Sequence, residues 1–168
     1  MEQVKWKNYV LVVLLFIVTV IIVLFVKKVY EDRESTKVVT NERLDVLYEI
    51  KEDDLKSYVI ENRKIILYTS NSLDMSLQEF EESFRSYIVK NELSKDIVYL
   101  NLNQVSSRFY DNLKEKYTVN ELKQVVFPQN QANIYVLENG KIIDILYRSN
   151  TTISLEEVSS FLNKVIQE

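Results

Sequence analysis

Two kinds of apolar pattern divide the chain. From Tyr9 to Val26 the residues are apolar without a break except at Thr19. Beyond residue 43 the apolar residues come in short runs or at helical spacing. Ile65-Ile66-Leu67-Tyr68 within Lys64 to Thr69 is a short continuous run, suited to a strand covered on both faces. Ile97 to Leu102, Ile134 to Leu137 and Ile142 to Tyr147 read the same way, and Val46 to Ile50 reads as an edge strand. Asn139-Gly140 lies between two of these runs and predicts a tight hairpin, because both central residues must take positive φ. Ser154 and Glu157 form a capping-box pattern ahead of Val158, Phe161, Leu162, Val165 and Ile166. Ser76 and Glu79 repeat it ahead of Phe80, Phe84, Tyr87 and Ile88. Two shorter helices are expected, from Glu52 to Ile60 and from Ser107 to Tyr117.

The order is then β-α-β-α-β-α-β-β-α. Strands separated by helices pair in parallel through right-handed crossovers, and the closing hairpin adds an antiparallel strand. The fold class expected is α/β: a mixed central sheet between two layers of helices, preceded by one transmembrane helix.

The N-terminal run has the length for that helix. Eighteen residues at 1.5 Å each reach about 27 Å, close to a hydrocarbon core. Trp6 and Tyr9 sit where interfacial aromatics belong, and Lys5, Lys7, Lys27 and Lys28 flank the run. A cleaved signal peptide fits less well, because Lys27-Lys28-Val29-Tyr30-Glu31-Asp32-Arg33 offers no small-x-small site. The expected organisation is a tail at 1–8, a membrane helix at 9–28, a linker or helical extension at 29–43, and one domain at 44–168. Lys27, Lys28, Arg33 and Lys37 outnumber Lys5 and Lys7, which by charge alone places the domain in the cytoplasm.

Composition narrows the chemistry. The chain has 168 residues, no cysteine, no histidine, one glycine, one proline and a net charge of -4. Thiol redox, thiolate metal sites, Ser-His or Cys-His catalysis and His-based zinc sites all lack their reactive group. One glycine cannot build a Gly-rich phosphate loop. The acidic balance argues against nucleic acid as partner. The expectation is no catalytic residue, no metal and no cofactor. Glu52-Asp53-Asp54 and Glu79/Glu81/Glu82 suggest calcium or a carboxylate pair, but both fall near first helical turns, where acids complement the helix dipole. Val125-Val126-Phe127 before Pro128 is an apolar patch that either covers the core or faces a partner.

The matching stretches Leu47-Tyr48-Glu49-Ile50, Lys64 to Thr69, Asn133 to Ile143 and Ser154 to Leu162 resemble the thioredoxin fold over about residues 44–168. In detail they are similar to the bacterial thioredoxin-like group associated with bacteriocin maturation and transport. The resemblance implies a loop for Cys-x-x-Cys after the strand Lys64 to Thr69, and a cis-proline about eight residues before the hairpin glycine. Here the loop is Ser70-Asn71-Ser72-Leu73-Asp74-Met75-Ser76, and counting back from Gly140 gives Ala132, with Pro128 four residues earlier. Oxidoreductase and isomerase activity therefore do not carry over.

The reading that follows is a membrane-anchored, redox-inactive accessory protein that acts by protein contact. Its partners are the bilayer, through residues 9–28, and a protein such as an exported peptide or a transporter. Partner contact is expected at Ser72, Leu73, Asp74, Met75, Phe127 and Pro128. The resemblance places the domain outside the cytoplasm, against the charge count, and outside is the expectation taken. The rival readings are an unconventional enzyme using carboxylates, and a structural subunit of a membrane complex.

Overall fold

The computed structural model describes residues 9–16, 18–23, 42–125, 127–129, 131–149 and 151–167. The chain forms two compact units, Met1–Val38 and Val39–Glu168.

In the first unit residues 9–16 and 18–23 are helical, and their apolar side chains are exposed. The Thr19 hydroxyl is satisfied within the helix: its Oγ1 donates to the Leu15 carbonyl at 2.9 Å. Among the described residues no helix is long and apolar enough to cross a membrane. The membrane helix expected over 9–28 is therefore not shown by the described residues. Residues 24–28, the tail at 1–8 and the linker up to residue 41 lie outside the described residues.

The second unit holds a five-stranded sheet in the order β1-β3-β2-β4-β5. In chain order its elements are β1 (Tyr48–Glu49), α1 (Glu52–Glu61), β2 (Lys64–Ser70), α2 (Gln78–Lys90), β3 (Ile97–Asn101), α3 (Phe109–Tyr117), β4 (Asn133–Glu138), β5 (Lys141–Leu146) and α4 (Leu155–Gln167). Strands β1, β3 and β2 are parallel; β4 runs antiparallel to both β2 and β5. Buried strand residues face one of two cores, because side chains alternate across a sheet. Ile66, Tyr68, Tyr99, Ile134 and Val136 pack with α2 and α4. Ile65, Leu67, Val98, Leu100, Tyr135 and Leu137 pack with α1 and α3. The expected three-layer α/β/α domain with a mixed sheet is the one observed.

Local signals decide several boundaries. Asn139 at φ 49° and Gly140 at φ 77° make the tight β4–β5 turn. At α4, Glu157 N donates to Ser154 Oγ while the Glu157 carboxylate accepts from Ser154 N and Oγ, which completes the capping box. The edge strand is shorter than expected. A 3₁₀ turn at Glu42–Leu44 is followed by a turn in which Leu47 N donates to the Leu44 carbonyl, so Leu44 and Leu47 are buried before pairing begins at Tyr48.

Candidate functional site

Parallel strands β2 and β3 end at Ser70 and Asn101, and β4 starts nearby at Asn133, paired with Thr69. In open α/β sheets the carboxyl ends of parallel strands are where ligands bind. Here that position is occupied by the loop at residues 71–76.

The loop is built from short polar contacts. Asn71 accepts at Oδ1 from Leu73 N at 2.9 Å, and its carbonyl accepts from Asp74 N at 2.9 Å. Asp74 Oδ1 accepts from Ser76 N at 2.9 Å and from Ser76 Oγ at 2.6 Å, capping a 3₁₀ turn at Met75–Leu77 that leads into α2. Asp74 thus does the work expected of Ser76 and Glu79. Their capping box does not form, because α2 begins only at Gln78, after the 3₁₀ turn. Ser72 Oγ accepts from Asn101 Nδ2 at 2.9 Å and from Asn103 Nδ2 at 2.8 Å. Leu73 and Met75 point outward, 77% and 70% exposed.

Beneath the loop lies a charged group. Glu81, on α2, is fully buried. Its carboxylate accepts from Ser70 Oγ at 2.6 Å, from the Tyr68 hydroxyl at 3.2 Å and from Arg43 Nη1 at 3.1 Å. A carboxylate with hydrogen bonds and a guanidinium partner tolerates burial that an isolated one does not. Arg43 also donates to the Ser72 carbonyl at 2.6 Å and to the Asp74 carbonyl at 3.3 Å. Burial, with the Glu81 carboxylate close by, pushes the Tyr68 phenol well above its ordinary range. Tyr68 stacks against Tyr99 with ring centroids 5.9 Å apart.

A shallow cleft of about 190 Å³ opens beside the loop, lined by Asp74, Ser76, Leu77, Gln131, Ala132, Thr151 and Thr152. Ala132 stands immediately before β4, at the position reached by counting back from the hairpin glycine. Among the described residues no peptide bond is cis.

Of the six residues expected at a partner surface, Ser72, Leu73, Asp74 and Met75 share this loop. Phe127 does not belong with them. It is buried against the α1/α3 face, its ring 5.7 Å from that of Tyr135, because the apolar patch closes the core there. Pro128 is half-buried, and its carbonyl accepts from Asn133 Nδ2 at 3.2 Å. Arg43, Glu81, Asn101 and Asn103 are not among the residues that the sequence places at this loop, whereas Ser70 is. Their only sequence signal is polarity at positions where a strand or helix turns inward, and Glu81 is hidden in a run of acids that reads as a solvated first turn.

The other acidic groups have structural partners too. Glu52 accepts from Ser106 N at 2.6 Å and Ser106 Oγ at 2.8 Å, ahead of α3. Glu82 accepts from Gln78 at 3.0 Å. Among the described residues no group of three or more acidic residues is placed to hold a metal ion.

The poplar wild-type thioredoxin h superposes with a TM-score of 0.50 at 10% identity, over 73% of this chain and 97% of that one. The domain is thioredoxin-like in fold. The oxidised mitochondrial thioredoxin 3 of Saccharomyces cerevisiae is similar at a TM-score of 0.45 and 10% identity, over 75% of this chain and 98% of that one. No protein-family model matches the chain. No curated protein matches it either. At such identities the likeness reaches the fold and no further. In this thioredoxin-like domain the loop that follows β2 carries no thiol, since the chain has no cysteine, and thiol–disulfide exchange has no reactive atom here.

Proposed function

We propose that the protein is a membrane-anchored, redox-inactive thioredoxin-like accessory protein that holds a protein partner by contact alone. The observation that carries this reading is the loop at residues 71–76. It stands at the strand ends where this fold does its chemistry, it has no thiol, and it presents Leu73 and Met75 to solvent from a polar frame. Exposed apolar side chains on a fixed frame favour binding, because little conformational entropy is lost on docking. Anchoring through residues 9–28 rests on the continuous apolar run and its flanking lysines. A place outside the cytoplasm and a role in peptide export or envelope assembly rest on the resemblance to the bacteriocin-associated group.

Site-specific photocrosslinking in cells tests the reading. A photoreactive residue at position 73 or 75 is expected to give one defined adduct, identified by mass spectrometry as an exported or membrane protein. The same probe at Ile60, equally exposed on α1, gives none. Leu73→Asp should abolish the adduct formed from position 75. Adducts of equal yield at 60, 73 and 75 would remove the loop as a docking surface.

A further inference from the structure

We propose that Arg43 is a positioning residue that latches the loop at residues 71–76, so that display of Leu73 and Met75 depends on the seating of the strap at residues 43–47. The proposal rests on the docking reading of that loop and adds its control. One guanidinium donates to the carbonyls of Ser72 and Asp74, the two residues that bracket Leu73, at 2.6 and 3.3 Å. The same group reaches Glu81 Oε2 at 3.1 Å. A planar fork of donors can serve two carbonyls and a carboxylate together; an ammonium cannot match that geometry.

The strap is held independently of the loop. Leu44 and Leu47 are buried in the core that contains Phe84 and Ile88 of α2. Arg85 grips Asp45 through both carboxylate oxygens, at 2.8 and 3.3 Å. The loop has no comparable apolar anchor of its own between Ser70 and Leu77, since Leu73 and Met75 face outward. Its shape is therefore set by polar contacts, and among them the strap supplies the two that reach the carbonyls on either side of Leu73. Four residues, 39–42, separate the strap from the first unit, Met1–Val38.

Hydrogen exchange on the full chain in detergent micelles tests this without any partner. In Arg43→Gln the amides of Asp74, Ser76 and Leu77 are expected to exchange about tenfold faster or more relative to Leu67 and Val136 in the sheet. The double variant Arg43→Gln with Glu81→Gln removes the unbalanced buried charge but not the lost latch, so the relative acceleration should persist. An unchanged ratio in Arg43→Gln overturns the proposal. So does a ratio restored by the double variant, which would make Arg43 a charge partner only. Failure of crosslinking at 73 and 75 would leave this exchange result untouched, so the two readings fall separately.

Discussion

Ser70 and Thr69 are neighbours at the end of β2, and they face opposite sides of the sheet. On the α2/α4 side Ser70 joins a buried network in which Tyr68, Ser70 and Arg43 all donate to one carboxylate. On the α1/α3 side Thr69 is equally buried, and among the described residues nothing hydrogen-bonds its Oγ1. One face thus spends its buried polarity on fixing the loop above it. The other leaves Thr69 Oγ1 without a partner, although Asn133 Nδ2 holds the carbonyls of Pro128 and Gln131 at 3.2 and 3.0 Å. Identical depth does not mean identical worth, because a buried polar group helps only when its partners are in place.

Breaking the charge pair should give the largest effect. Arg43→Gln leaves Glu81 charged in a buried site and is expected to cost about 3 kcal/mol, read from the midpoint of urea denaturation. The lower end of the range for buried pairs applies because Arg43 keeps 17% side-chain exposure. Ser70→Ala removes a hydrogen bond to a charged acceptor and should cost about 2 kcal/mol in the same assay. Thr69→Val, one residue away, keeps the shape and deletes an unpaired hydroxyl. It should be neutral or stabilising by up to about 1 kcal/mol. A loss as large as that of Ser70→Ala would erase the contrast between the two faces.

The smallest effect belongs to the strap's outer contact. The hydrogen bond from Arg85 holds the Asp45 carboxyl below its usual range. A carboxyl whose folded pKa is depressed adds stability above its unfolded value, near 4, and loses it as pH falls through the folded value. Wild type should therefore lose slightly more stability than Asp45→Asn on going from neutral pH to below 4. The pair is solvent-exposed, so the difference should be small and vanish at high salt.

The contrast between faces also marks what could be read from the sequence. The Asn139-Gly140 turn and the Ser154/Glu157 box were legible because their chemistry is local: positive φ within two residues, and reciprocal hydrogen bonds within four. The order of strands and helices followed from apolar spacing. The loop at 70–76 was located by position in the fold, and four of its residues were named. The Arg43–Glu81 pair was not legible, since its members lie 38 positions apart and nothing local marks either as buried. Phe127 reads both as core cover and as partner contact, because an apolar residue next to proline looks the same in both settings; it closes the core. The capping of α2 shifted to Asp74 because a 3₁₀ turn precedes the helix, which periodicity does not reveal.

The central claim is that the loop after β2 is a preformed, redox-free platform. Backbone ¹⁵N relaxation of the full chain, without a partner, tests it most directly. Order parameters of about 0.85 at Leu73, Asp74 and Met75, equal to those of β2 and β4, are the predicted result. Values below about 0.6 at these positions, with a rigid sheet beneath, would contradict it.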